Sequence, residues 1–136
     1  MKYAPAYAIA LILMLILDGL WLGIVARSVY VPRIGGIMLE QPRWGVAVVF
    51  YLLYPLGLTY FAIAGGWQLA NWQAASFNGA IFGFMCYLTY NATNLSIIRG
   101  YDGLIAVLDT AWGTIVSAVV AGATAAILGA LGWRPG

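Results

Sequence analysis

The sequence contains no histidine and a single cysteine, Cys86. Histidine is the usual protein ligand of haem iron, of di-iron helical motifs and of common zinc sites, so none of these centres is expected. One cysteine can form neither an internal disulfide nor a thiolate cluster. In an apolar helix such a residue usually serves as a small hydrophobic filler. We therefore predict no metal ion and no cofactor.

Charged residues are also scarce. They make up 7% of the 136 residues, whereas soluble domains carry about 25%. Hydrophobic residues make up 64% of the chain, and the net charge of +2 is too small to indicate nucleic-acid binding. No basic cluster is dense enough to attract anionic lipid. The composition therefore predicts one integral membrane domain over residues 1–136, surrounded by membrane lipid and without a nucleic-acid partner.

Four apolar stretches are long enough to cross a bilayer as helices, which takes about 20 residues. They cover about residues 3–25, 44–64, 72–98 and 103–131. Short links make sequential helices antiparallel neighbours. The longest link, residues 27–43, contains two prolines and a glycine pair, and we expect at most a short interfacial turn there. The predicted fold is an all-α integral membrane bundle of four antiparallel transmembrane helices.

The arginine distribution predicts an orientation, because cytoplasmic loops carry an excess of Lys and Arg. Two of the six basic residues, Lys2 and Arg134, lie on the side that holds both termini. The other four lie in the first and third links: Arg27, Arg33, Arg43 and Arg99. We expect both termini outside and the longest link in the cytoplasm.

Two aspartates, Asp18 and Asp109, each lie inside an apolar run that contains no lysine or arginine. An ionised carboxylate is costly in hydrocarbon, so such residues usually face a bundle interior or a water-filled cavity. Two interpretations stay open. Both acids could hydrogen-bond neighbouring polar groups and fix the helix register. Alternatively, they could line a ligand or proton site as counter-ion or proton-exchange groups.

Further polar residues lie at similar depths, roughly 8 to 16 Å from the arginine-bearing ends at 1.5 Å per helical residue. On the third helix, Gly79, Gly83, Tyr87, Asn91 and Asn94 recur every three or four residues and share one face. We expect the amides and tyrosines to orient a ligand and the tryptophans to form apolar or cation–π walls. The candidate ligand-binding or proton-exchange residues are Asp18, Asp109, Asn91, Asn94, Tyr51, Tyr54, Tyr87, Trp21 and Trp112; no catalytic residue is assigned.

The two acids also share a local motif. Leu17-Asp18-Gly-Leu-Trp21 resembles Leu108-Asp109-Thr-Ala-Trp112, and the two helices are predicted to run in opposite directions. Inverted repeats of this kind are common in transporters. In so apolar a sequence, chance similarity is the alternative explanation.

Three functions remain open. The first is binding or transport of a small amphipathic or cationic molecule through the polar layer in the cytoplasmic half of the bundle. Transport would favour a homodimer, because four helices rarely enclose a path alone. The second is a structural or regulatory partner of another membrane protein. The third is a lipid-modifying enzyme with paired acids; the absence of histidine, an activated serine or a metal cluster disfavours it.

A resemblance covers nearly the whole chain. Its motifs are Asp18-Gly-Leu-Trp21, Pro42-x-Trp44, Tyr51-Leu-Leu-Tyr54, Tyr90-x-x-Thr93-Asn94-Leu, Arg99-Gly100 and Asp109-x-Ala-Trp112-Gly113. Together they resemble the bacterial domain-of-unknown-function 2177 family. The resemblance implies a small four-span protein of the bacterial inner membrane and supplies no activity.

Overall fold

A computed structural model of the chain describes residues 3–38, 43–64 and 71–132. Within these ranges the protein is helical and contains no strand. The four long helices are α1 (Ala4–Trp21), α3 (Trp44–Leu58), α4 (Trp72–Ile97) and α5 (Gly103–Ala130). The predicted all-α fold is confirmed. The second link falls mostly on residues 65–70, which lie outside the described residues.

Three stretches are long and apolar enough to cross a membrane: Ala4–Ile37, Trp44–Ile63 and Gly103–Ala130. The remaining long helix, α4, has 26 residues but a lower mean hydropathy, because asparagine, serine and threonine recur along it. It packs along α5 in the antiparallel sense, since Ser76 bonds the Ala118 carbonyl near one end and Asn91 bonds Asp109 near the other. The four helices therefore form one membrane bundle.

The first helix is longer than the sequence predicts. It does not end near Val25 but continues through a π-helical segment (Leu22–Tyr30), the single turn α2 (Val31–Ile34) and a 3₁₀ turn (Gly35–Ile37). The predicted loop was wrong here, because Pro32 lies inside one continuous helical stretch, Ala4–Ile37. The proline removes one backbone hydrogen bond from this stretch without ending it.

The contact between α4 and α5 depends on small residues. A Cβ atom added at Gly83 would lie 2.2 Å from the Gly113 carbonyl oxygen, and one added at Gly79 would lie 2.6 Å from the Ser117 carbonyl oxygen. The predicted small-residue face thus allows close helix approach, as in other membrane bundles. On α1 the buried residues Ala6, Ala10, Met14 and Asp18 recur every fourth position. This spacing places Asp18 on the face that packs into the bundle.

Candidate functional site

Asp18 projects from α1 into the bundle and is only 7% exposed. Its Oδ1 atom accepts a hydrogen bond from the Trp112 indole Nε1 at 2.9 Å. Its Oδ2 atom accepts a hydrogen bond from the Tyr51 hydroxyl. The carboxyl group therefore joins α1 to α3 and to α5. Both donors are neutral, so they satisfy the oxygen lone pairs without cancelling a negative charge.

Asp109 is held in a corresponding way from the other side of the bundle. The Tyr30 hydroxyl donates to its Oδ1 at 2.6 Å, and the Asn91 amide donates to its Oδ2 at 2.8 Å. Tyr30 in turn accepts a hydrogen bond from the Trp21 indole at 3.3 Å. An indole N–H can only donate, which leaves the tyrosine proton for Asp109. Both oxygens of Asp109 therefore accept a hydrogen bond.

The orientation of Asn91 is fixed by three contacts. Its nitrogen donates to the Tyr87 carbonyl at 2.9 Å as well as to Asp109, and its oxygen accepts from the Tyr101 hydroxyl at 2.7 Å. The Tyr87 carbonyl can only accept a hydrogen bond, so the Asn91 amide nitrogen must face it. The Asn91 orientation with its amide nitrogen and oxygen exchanged is therefore excluded. Burial raises the pKa of Tyr101 to about 12. Its hydroxyl therefore stays protonated at neutral pH and remains a donor to Asn91.

The two tryptophans of the repeated motif lie against each other. The rings of Trp21 and Trp112 are stacked, with centroids 4.3 Å apart and an angle of 8° between their planes. Each tryptophan is three residues after an aspartate on its own helix, yet its indole N–H is linked by hydrogen bonds to the aspartate of the other helix. Trp112 bonds Asp18, while Trp21 reaches Asp109 through Tyr30. The stacked pair thus connects the two carboxyl groups in a crossed arrangement.

A cavity of about 560 Å³ lies between the helices beside both acids. Its walls are almost entirely apolar and aromatic, and Asp18 and Asp109 are the charged residues that line it. This volume is within the range of small-molecule sites, which combine apolar walls with a few polar groups. The cavity is open on one side. We call it the aromatic cavity.

No basic side chain neutralises the two acids within the described ranges. The one ion pair found there joins Arg33 and Asp102 at 3.3 Å, at the surface where α2 approaches the start of α5. Asp102 also accepts the Ile105 N–H as the N-cap of α5. That hydrogen bond, more than Arg33, holds the pKa of Asp102 below its ordinary value of 3.8. The surface pair is thus separate from the site.

Seven of the nine residues predicted for the site line the aromatic cavity: Asp18, Asp109, Tyr51, Tyr54, Tyr87, Trp21 and Trp112. Tyr54 contacts the Ser117 hydroxyl at 2.6 Å. The Tyr87 hydroxyl has no hydrogen-bond partner among the described residues, which leaves it available to a ligand. Asn91 lies behind Asp109 and orients it. Asn94 makes no hydrogen bond to either acid, whose described partners are Tyr30, Asn91, Tyr51 and Trp112.

Sequence reasoning missed Tyr30, which was assigned to a loop. Nine residues separate it from Trp21, and nine residues make two and a half α-helical turns, which would place the two on opposite faces. The i→i+5 hydrogen bonding of the π-helical segment widens each turn and brings Tyr30 back to the Trp21 face. Pro32 was the available signal, because a proline marks a place where regular α-helix is interrupted.

Fold and site together define a four-helix integral membrane protein with one buried acid, Asp18, and one half-buried acid, Asp109, beside an aromatic cavity. Residues 3–126 match the family described as "Predicted membrane protein (DUF2177)". The chain belongs to that family, as its motifs predicted. No curated protein and no solved structure matches the chain.

Proposed function

We propose that the protein binds a small cationic or amphipathic molecule in the aromatic cavity, as the binding step of a transporter. The observation that carries the proposal is the pairing of Asp18 and Asp109 in one cavity with neutral donors only. A buried charge is costly unless it is paired. A cationic ligand would supply the missing charge.

The cavity walls support the same ligand class. Trp21 and Trp112 present indole rings, and a cation within about 6 Å of such a ring is attracted by its quadrupole. Tyr51, Tyr54 and Tyr87 add further aromatic surface. An anionic ligand would meet two carboxylates and no lysine or arginine among the described lining residues. The site therefore favours positive charge on an apolar body.

Matched ions of opposite charge test this proposal. Tetraphenylphosphonium and tetraphenylborate have nearly the same shape, so a difference in their binding reports charge. We expect the purified protein in detergent to bind the phosphonium and to reject the borate in a calorimetric titration. Asp18→Asn and Asp109→Asn should each weaken phosphonium binding by at least about tenfold, which corresponds to about 1.4 kcal/mol.

Asp102→Asn is the matched control, because it removes a carboxylate outside the cavity and keeps a residue that caps helices well. It should leave phosphonium binding unchanged. Equal binding of both ions, or equal loss in all three variants, would contradict the proposal. Flux of the phosphonium into liposomes then separates a transporter from a binding or regulatory partner, which would show binding without flux.

We also propose that the protein lies in a bacterial inner membrane with both termini outside. Arg27, Arg33 and Arg99 lie near the end of the bundle that this orientation places in the cytoplasm. A Cys86→Ser variant with single cysteines introduced at positions 35 and 68 tests the orientation. An impermeant thiol reagent applied outside intact cells should label position 68 and leave position 35 unmodified.

A further inference from the structure

The open side of the aromatic cavity lies at an apolar surface. Four of its lining residues are between 42% and 68% exposed: Leu22, Val46, Phe50 and Tyr90. Leu22, Val46 and Phe50 belong to stretches apolar enough to cross a membrane. Charged residues are absent from this exposed part of the described lining. In a bilayer, such a surface faces hydrocarbon instead of water.

The end of the cavity nearest the 98–102 turn is closed by two polar contacts: Tyr30 bonds Asp109, and Tyr101 bonds Asn91. The Arg33–Asp102 ion pair lies beyond them at the surface, outside the cavity lining. Together they hold the end of the first helix against the connection between α4 and α5. A ligand in water at this end would have to break these contacts to reach the carboxylates.

The opposite end is closed by packing. Tyr54 meets Ser117 at 2.6 Å across the bundle. Beyond that pair, Met14, Leu58 and Val116 are almost completely buried in the hydrophobic core. Well-packed cores have few voids larger than a water molecule. The described residues therefore leave the sideways opening as the route into the cavity.

From this arrangement we propose that the ligand is a net-cationic amphiphile dissolved in the bilayer, which enters sideways between α3 and α4 past Val46 and Tyr90. This inference rests on the proposed function and names its substrate class. The cationic head lies against Asp109 and Asp18, and the apolar tail extends toward the opening. A zwitterionic phospholipid fits less well, because the described lining offers no cation for its phosphate.

Cys86 provides a probe, because it lines the cavity and is the only cysteine in the chain. The full chain in phosphatidylcholine nanodiscs is treated with N-phenylmaleimide, which enters the bilayer. A parallel sample receives a trimethylammonium methanethiosulfonate, which stays in water and carries the charge that carboxylates attract. We expect the maleimide to modify Cys86 and the methanethiosulfonate to leave it unmodified.

A second measurement uses decyltrimethylammonium and tetramethylammonium, which have the same head and different tails. Each buried methylene contributes about 0.8 kcal/mol, roughly a fourfold change. Decyltrimethylammonium should therefore protect Cys86 from the maleimide at an aqueous concentration at least about a hundredfold lower than tetramethylammonium. Val46→Trp should slow maleimide labelling by narrowing the opening. Val49→Trp, at another exposed position of α3 outside the cavity lining, should not slow it.

Each result decides the inference. Three results would each show entry from water and overturn the inference. They are modification of Cys86 by the methanethiosulfonate, equal protection by both ammonium ions, and equal labelling of the two tryptophan variants. No labelling by either reagent would also overturn it, because the opening would not reach Cys86. If tetraphenylphosphonium still binds in those cases, the proposed function stands. If no cation binds or protects, both proposals fail.

Discussion

The Trp21 and Trp112 rings lie parallel with their centroids 4.3 Å apart. Each indole N–H is hydrogen-bonded, directly or through one tyrosine, to the aspartate of the other motif. Trp112 donates directly to Asp18, and Trp21 donates to the Tyr30 hydroxyl that holds Asp109. Neither acid is therefore held only by its own helix. A change in either carboxyl group acts directly on the helix that bears the other.

Replacing Trp112 with phenylalanine should destabilise the protein by about 1–3 kcal/mol, because a buried acceptor on Asp18 loses its donor. The free energy of unfolding is measured by SDS titration in mixed micelles. Trp44→Phe is the control, since Trp44 is 66% exposed, and it should change stability by less than about 0.5 kcal/mol. Equal effects of the two substitutions would show that the hydrogen bond to Asp18 contributes nothing.

Replacing Tyr30 with phenylalanine should cost about 1–2 kcal/mol, because Asp109 loses one donor and Trp21 loses its acceptor. Asp109 itself remains, so tetraphenylphosphonium binding should persist. Tyr60→Phe, at a residue that is 72% exposed, should leave the free energy of unfolding unchanged in the same SDS titration. Tyr30 lines the aromatic cavity, but in this account it acts by holding Asp109. Loss of phosphonium binding in the Tyr30 variant at unchanged stability would contradict that role.

Gly83→Ala should be strongly destabilising, because the added Cβ would lie 2.2 Å from the Gly113 carbonyl oxygen. Overpacking of this kind costs about 1–3 kcal/mol or more. Gly19→Ala is the matched control on α1, where an added Cβ meets nothing within 4 Å. It should be neutral or stabilise by up to about 1 kcal/mol, because alanine favours the helix over glycine. A reversed order in SDS titration would contradict the α4–α5 packing.

Stability should also depend on pH through Asp102. The Ile105 N–H and Arg33 hold the pKa of this carboxyl below 3.8 in the folded protein, so the unfolded chain takes up its proton first as the pH falls. The stabilising contribution is therefore fully present above about pH 4 and is lost as the pH falls through the folded value. SDS titrations between pH 3 and 6 should show a smaller loss in Asp102→Asn. An unchanged pH dependence would contradict this assignment.

Much of this arrangement could be predicted from the sequence. Asp18 and Asp109 stood out because no lysine or arginine shares their apolar runs, and helical spacing placed Asn91 on the face that meets α5. The same spacing included Asn94, which is not among the described hydrogen-bond partners of either acid. Position along an amphipathic face does not determine which of two nearby amides reaches a carboxylate.

Other features depended on tertiary structure. Tyr30 needed the wider π-helical turn, which periodicity based on 3.6 residues per turn cannot represent. The repeated motif indicated that Trp21 and Trp112 are related, but their crossed hydrogen bonds follow from the way α1 and α5 pack. The aromatic cavity likewise comes from the position of α3 relative to the other helices, which no local pattern specifies.

The most direct test of the central claim locates a bound cation. Tetraphenylarsonium has the shape of the phosphonium probe, and its arsenic atom scatters anomalously, so a crystal of the complex reveals the position of the ion. The account predicts one anomalous peak inside the aromatic cavity, beside the stacked Trp21 and Trp112 rings and the carboxyl groups of Asp18 and Asp109. The peak should be absent from crystals of the Asp18→Asn, Asp109→Asn double variant. A peak elsewhere on the protein, or an unchanged peak in the double variant, would contradict it.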